Sequence, residues 1–291
     1  CSWFSVAVAG KPAWRFCAPV GWKISDNQSI RGYDAETKTI DPNDDSDLDA
    51  VGKDSNVVIE KENQKAIIRY VSTNGNRVLT TDEVTGKSGE AIAYSTTSQI
   101  TEFKKQGYNL VSDEFTAGGA KVYDYDTARD QVYTVTLSER VEPVNPDNPT
   151  PQPNTPVNPG QPDSPRWPGT VENLDNKESV SRTIHYVYED GSKAKDDVVE
   201  TLNFKRWSNV NLVTGHIDFQ DWTTNDDTFD KVVSPTIAGY TADKSEIPAV
   251  SGVQAKDQDR VETVTYRKDA QKAVIRYVST NGNRVLTTDE V

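Results

Sequence analysis

The segment QKAIIRYVSTNGNRVLTTDEV begins at Gln64 and returns almost letter for letter at Gln271, with Ile67 replaced by Val274 as the sole difference. Agreement at 20 of 21 positions, exposed Asn, Thr and Arg included, points to duplication of a whole unit, because reuse of a hairpin would preserve only its apolar positions. Any fold for this chain must therefore be one that repeats. Within the segment, the β-branched run KAIIRYVS meets Asn74-Gly75 and continues as NRVLTTDEV. Asn-Gly suits the two positive-φ positions of a type I′ turn, so an antiparallel hairpin is expected to open each unit.

The same offset extends upstream. Ile30, Gly32, Tyr33, Ala35 and Ile40 correspond to Ile237, Gly239, Tyr240, Ala242 and Ile247. Residues 1–63 are thus expected to be the diverged tail of a preceding repeat, with 1–29 showing no sustained strand or helix period. The acidic stretch DPNDDSDLD, 41–49, offers carboxylates to a calcium ion. Its spacing is not that of an EF-hand, so a solvated loop is expected and no cofactor is called for, with calcium as the alternative.

Residues 64–140 form the first expected domain. STTSQITEFKKQ, 95–106, places Ile100 and Phe103 on one face of a short helix closed by Gly107, and YNLVSDEF and QVYTVTL read as two further strands. Strand, strand, helix, strand, strand suggests a small sheet crossed by one helix. Residues 141–170 hold ten of the 15 prolines. Proline fixes φ and removes a donor, so a semi-rigid polyproline spacer rising about 3.1 Å per residue is expected.

Residues 171–268 echo the first domain. RTIHYVYEDGSKAKDDVVETL repeats the hairpin with Asp190-Gly191 at its turn, Gly239-Tyr240 answers Gly107-Tyr108, and RVETVTY answers QVYTVTL. Between the hairpin glycine and Gly239 this domain is 16 residues longer than its counterpart, an insertion carrying VTGHIDFQDWTTNDDTFDKVVSP. Residues 271–291 are the expected truncated start of the next repeat. A hairpin without its helix and later strands is marginal in water, so this copy is expected to be unstable alone.

Formal net charge is −13, which disfavours nucleic acid and anionic membrane surfaces as partners. Cys1 and Cys17 are the only cysteines, which excludes a disulfide framework or CxxC metal site for most of the chain. The apolar run WFSVAVA is too short to insert in a membrane, and the chain starts on Cys and contains no Met. Export and anchoring signals are expected outside this stretch.

Catalytic chemistry has little to build on. His185 and His216 are the only histidines, and GxSxG, P-loop and HExxH motifs are absent. Sugar binding fits better, since saccharides are held by aromatic faces and by Asp, Asn and Gln that bond hydroxyls. The insertion supplies Phe219 and Trp222 beside Asp221, Asn225 and Asp226. A second candidate is Trp207 with Lys205 and Arg206, whose cations suit acidic sugars. For both groups the alternative is structural: rings that pin the insertion to the sheet, and an ordinary solvated strand end.

IHYVYEDGSKAKDD, IAGYTADKSEIPAV and RVETVTYRK together resemble the mucin-binding repeat of lactobacillal cell-surface mucus-binding adhesins. The resemblance covers residues 64–291, and Tyr186, Asp190, Gly191, Gly239 and Tyr240 carry its motifs. It implies an α+β architecture of small ubiquitin-like β-grasp domains in tandem, mostly β with one short helix, joined by a Pro-rich spacer. It also implies an extracellular, cell-wall-anchored location and non-enzymatic adhesion to mucin glycoproteins by weak multivalent contacts, with immunoglobulins as further partners. The alternatives are host-protein binding through an exposed sheet edge and a passive stalk.

Overall fold

The computed structural model describes residues 4–8, 11–15, 18–26, 30–34, 36, 39–40 and 57–291. The acidic stretch 41–49, with its calcium alternative, and both cysteines lie outside them. The chain divides into two units. The first comprises residues 1–142, 152–169 and 211–216; the second comprises 143–151, 170–210 and 217–291.

The first unit begins with short strands β1 (Phe4–Val8), β2 (Lys11–Arg15), β3 (Trp22–Ile24), β4 (Tyr33–Asp34), β5 (Thr39–Ile40) and β6 (Ile59–Lys61). Its main sheet is built from β7 (Asn63–Ser72), β8 (Val78–Lys87), β9 (Tyr108–Asp113) and β10 (Gln131–Glu139) in the order β8-β7-β10-β9. β7 pairs antiparallel with β8 and parallel with β10, as Ile68↔Tyr133 and Tyr70↔Val135. Between β8 and β9 runs α1 (Thr97–Lys105), which buries Ile100 and Phe103. Alternation along β7 sends Ala66, Ile68 and Tyr70 inward to full burial. There the Tyr70 ring lies 5.6 Å from that of Phe103, which meets Tyr108 edge-on at the same separation. Thr96 precedes the helix but gives its hydroxyl to Asp113 at 2.6 Å instead of capping. Gly107 follows it at φ +95°, and a Cβ there would lie 2.8 Å from Cβ of Leu212.

The opening turn differs in detail from a two-residue type I′ loop. Positive φ falls on Gly75 (+69°) and Asn76 (+52°), one residue later than expected. Ser72 N–H donates to Arg77 O at 2.8 Å and closes a longer loop, with a register shift after Tyr70. Asn74 is thereby released from the turn's backbone demands, and its side-chain amide reaches Glu139.

The proline-rich stretch departs from the extended spacer expected for it. It starts with strand β11 (Val141–Val144), and residues 154–167 fold back on themselves. Asn154 N–H donates to Trp167 O at 2.9 Å, Trp167 N–H to Thr155 O at 3.0 Å, and Val157 N–H to Pro165 O at 2.9 Å. A proline loses only its own donor, and here the donors are Asn, Trp and Val while the proline carbonyl accepts.

The second unit centres on β12 (Lys177–Tyr188) and β13 (Lys193–Lys205), a long antiparallel hairpin turning at Gly191. Then come β14 (Ser208–Asn211), β15 (Ile217–Phe219), β16 (Val232–Val233), β17 (Tyr240–Ala242), β18 (Glu246–Ile247) and β19 (Arg260–Lys268). The main sheet has the order β13-β12-β19-β17, with β12 and β19 parallel. This is the order of the first sheet, without an α-helix after the hairpin. In its place stand the β14–β15 pair and the loop to Phe229. Val180, Leu202, Phe204 and Phe229 form one core cluster; Ile184, Tyr186, Val264 and Tyr266 form another. Arg182, 1% exposed, donates to Glu200, to Asp230 O and to Pro248 O, which ties the C-terminal part of the insertion and the segment after β18 to the hairpin. Residues 271–291 form a two-stranded hairpin, β20 (Val274–Val278) with β21 (Val285–Glu290), whose residues are almost all exposed. No helix among the described residues is long and apolar enough to cross a membrane.

Candidate functional site

Two pairings flank Arg206. On one side the β14–β15 register sets Ser208 opposite Phe219; on the other Lys205 bridges to Thr223 through N–H···O bonds of 2.9 and 2.8 Å. Phe219 and Trp222 are thus brought to the same guanidinium. Its carbon lies 4.0 Å from the Phe219 ring centre and 4.2 Å from that of Trp222. Arg206 is further fixed by Asp175, donating to its carbonyl at 2.8 Å and its carboxylate at 3.0 Å. Lys256 stands 5.5 Å from the Trp222 ring and pairs with Asp175 and Glu178. The Glu178 bond, then that to Asp175, holds its ammonium above the usual lysine range.

A cation over a ring face contributes about 0.5–1 kcal/mol when exposed and about 2 when desolvated. Arg206, with a side chain only 16% exposed, stands nearer the second regime. Trp222 is half-buried and packs on the cluster around Leu202 and Phe229, whereas Phe219 remains 39% exposed. Each ring therefore presents one face to Arg206, and the rings fasten the insertion as well as offering surface.

Beside this stack runs a groove of about 330 Å³ lined by Thr201, Asn203, Lys205, Thr223, Asn225 and Asp226. Its far wall is a compact turn. Thr224 Oγ1 donates to Asn203 O at 2.8 Å, and Asp226 Oδ1 accepts the Thr228 N–H at 3.0 Å. With Leu202, Phe204 and Thr224 completing the lining, hydroxyl, amide and carboxylate groups and one ammonium stand beside two apolar residues, and the polar groups suit several sugar hydroxyls at once. Of the residues expected from the sequence, Arg206, Phe219 and Trp222 meet in the stack, and Asn225 and Asp226 line the groove. Asp221 is exposed and belongs to neither. Trp207 is also apart from both at 42% exposure, its carbonyl accepting from Gln220 N–H at 2.9 Å. Sequence reasoning missed Asn203 and Thr224, and it missed Lys256, which arrives from the far end of the domain and is visible only through tertiary pairing.

Residues 64–139 match the family model described as a mucin binding domain, and residues 171–270 match that of the Muc B2-like domain. Among solved structures, the crystal structure of Mub-RV aligns with a TM-score of 0.56 at 26% identity, covering 71% of this chain and 100% of that one. The type 2 repeat of the mucus binding protein MUB from Lactobacillus reuteri aligns over the same shares at 28% identity and a TM-score of 0.47. The MucBP domain of the adhesion protein from Pediococcus pentosaceus is 35% identical over 32% of this chain and 99% of its own, with a TM-score of 0.29. No curated protein matches. With both family models matched in sequence order and the whole of the Mub-RV structure aligned over 71% of it, this chain belongs to the mucin-binding repeat family.

Proposed function

We propose that the chain is a non-enzymatic adhesin repeat at a bacterial cell surface that binds mucin glycans by weak, repeated contacts. The observation that carries this reading is the polar groove between β13 and the 223–226 turn, inside the domain that matches the Muc B2-like model. Asn225, Asp226 and Asn203 bond sugar hydroxyls there, Arg206, Phe219 and Trp222 hold the wall in place, and Asp221 and Trp207 offer flanking contacts. Both sheets run strand, strand, then two further strands with the first and last parallel at the centre, which supports a ubiquitin-like β-grasp for 64–140 and for 171–268. Residues 141–170 serve as the joint between them, 1–63 as the tail of a preceding repeat and 271–291 as the start of another.

The test is binding of the protein to a mucin surface before and after enzymatic removal of the glycans. Loss of binding on deglycosylation, and a several-fold loss for Asn225→Ala, are the expected results. Asn225 is the cleaner probe because Asp226 also holds the Thr228 N–H. Binding that survives deglycosylation would transfer the activity to protein recognition, immunoglobulins included. Product release from soluble mucin would end the non-enzymatic reading.

A further inference from the structure

Besides the groove, the second unit contains a recess of about 140 Å³ between residues 144–150 and 174–177. Both of its walls are braced. Asn145 Oδ1 accepts the Asp147 N–H at 2.8 Å and its carbonyl accepts the Asn148 N–H at 3.2 Å, which closes a turn. Asp147 in that turn takes the Lys205 ammonium at 3.0 and 3.1 Å. On the other wall, Arg206 N–H donates to Asn176 O at 3.0 Å while its guanidinium holds Asp175.

Asn176, 9% exposed, lines this recess. Its Nδ2 donates to Oγ of the fully buried Ser208 at 3.1 Å, while its Oδ1 is shut away without a hydrogen-bond partner among the described residues. Turning the amide over would give Oδ1 to the Ser208 hydroxyl and strand Nδ2 instead, so either orientation leaves one buried polar atom unpaired. Buried polar groups are nearly always paired, and an unpaired one favours any ligand that supplies the missing bond. The recess is also lined by the apolar Val144, Pro146 and Leu174 and by Asn145 and Asn148. A metal ion suits it poorly. Asp175, the one carboxylate in the lining, already binds Arg206 and Lys256, and Lys177 adds an ammonium to the same wall. A water's share of the liquid is about 30 Å³, so a single water fills only part of the space.

We infer, on the reading of this domain as a glycan binder, that the recess takes the acetamido group of an N-acetylhexosamine and that Asn176 recognises it. The acetamido N–H finds an acceptor in Asn176 Oδ1, its carbonyl a donor in the Asn148 amide, and its methyl an apolar wall in Val144 and Pro146. A plain hexose carries a hydroxyl in that position, which can bond Asn176 but covers none of the apolar wall. The sugar is neutral, so the net charge of −13 neither draws it in nor repels it.

The test titrates the whole protein, labelled with nitrogen-15, with N-acetylglucosamine and separately with glucose, following backbone and side-chain amides by NMR. N-acetylglucosamine is expected to bind about three- to tenfold tighter, the range set by one net hydrogen bond. Its shifts should fall at 144–148 and 174–177, the Asn176 side-chain amide among them. Equal affinities, or shifts confined to 201–205 and 223–226, would overturn the acetamido site. Asn176→Ala should bring the affinity for N-acetylglucosamine down to that for glucose. Should that variant unfold the domain by stranding Ser208, Asn148→Ala at an exposed position decides. A narrowed preference for N-acetylglucosamine over glucose supports the site, and an undiminished one refutes it. Mucin binding that is lost on deglycosylation, in a protein without the acetamido preference, would leave the glycan reading standing and remove this site alone.

Discussion

The guanidinium of Arg206 lies 4.2 Å from the ring centre of Trp222, so the most sugar-friendly side chain of the insertion already holds a partner from its own domain. Because the same group reaches Phe219 and Asp175, it couples the end of β13, the β14–β15 pair and the segment leading into β12. Arg206→Ala is expected to cost about 1–3 kcal/mol, and Arg206→Lys to recover less than half of that, since an ammonium cannot stack and bond bidentately together. Urea denaturation followed by tryptophan fluorescence measures both. A loss for Arg206→Ala within about 0.5 kcal/mol would mean that the stack adds nothing to the fold.

The two candidate tryptophans should separate cleanly. Trp222 packs on the core cluster, so Trp222→Ala is expected to destabilise the domain by about 2–4 kcal/mol and to weaken mucin binding through loss of structure. Trp207, 42% exposed, should change stability by less than about 0.5 kcal/mol when replaced by Ala. Any adhesion lost in Trp207→Ala with an unchanged circular dichroism spectrum is then a direct contact. If Trp207→Ala unfolds the domain as readily as Trp222→Ala, the division between wall and surface is wrong.

What could be read from the sequence follows from which interactions are local. The hairpins, the 97–105 helix and the closing strands were legible because strand alternation and the pair Ile100 and Phe103 are local patterns. The exact turn was not, since Ser72 bonding Arg77 moved the positive φ from Asn74 to Asn76. The fold-back at 154–167 was hidden because proline content reports lost donors and says nothing of the carbonyls that remain, such as Pro165 O. At the candidate site, composition located Phe219, Trp222, Asn225 and Asp226. That Arg206 would stand between the two rings depended on the pairings Ser208 with Phe219 and Lys205 with Thr223, which no local pattern encodes.

Arg182 offers a sharper stability test. Its buried guanidinium donates to Glu200 and to two carbonyls, and lies 5.1 Å from the Phe229 ring centre. Arg182→Ala strands the Glu200 carboxylate and both carbonyls and is expected to cost about 3–5 kcal/mol. Arg182→Met paired with Glu200→Gln, which fills the space without a buried charge, should recover a large part of this. Chemical denaturation of the three variants gives the comparison; a single Arg182→Ala loss under about 1 kcal/mol would contradict the pinning role.

Acid should loosen the second domain at two identified carboxyls. Asp190 accepts the Ser192 hydroxyl and N–H, and Asp259 accepts the Ser181 N–H; these bonds hold both carboxyls below the ordinary aspartate range. Folding thus favours the ionised forms. Their stabilisation is fully present above the unfolded-state value and is lost as pH falls through the lower folded values. NMR titration should place both midpoints below those of an unfolded peptide, and Asp190→Asn with Asp259→Asn should flatten the acid limb of the stability profile. Midpoints at the unfolded values would remove both groups from the account.

The duplicated hairpin allows a substitution to be made twice in one protein with the local sequence held constant. Tyr70 is fully buried against Phe103, whereas Tyr277, the same residue in the same octapeptide, is 48% exposed. Local propensity is equal at the two sites, so any difference between them measures tertiary packing alone. Tyr70→Ala is expected to cost about 3–5 kcal/mol and Tyr277→Ala less than about 0.5 kcal/mol. Amide exchange should agree. A two-stranded hairpin with no helix or further strand over its apolar face is marginal in water. Among the described residues β20 pairs with β21 alone, so in the 291-residue chain the amides of Val274–Val278 should exchange far faster than those of 67–71, which β10 and α1 cover. Strong protection at Val274–Val278, or a comparable loss for the two tyrosine variants, would show that the second hairpin has found a covering surface of its own.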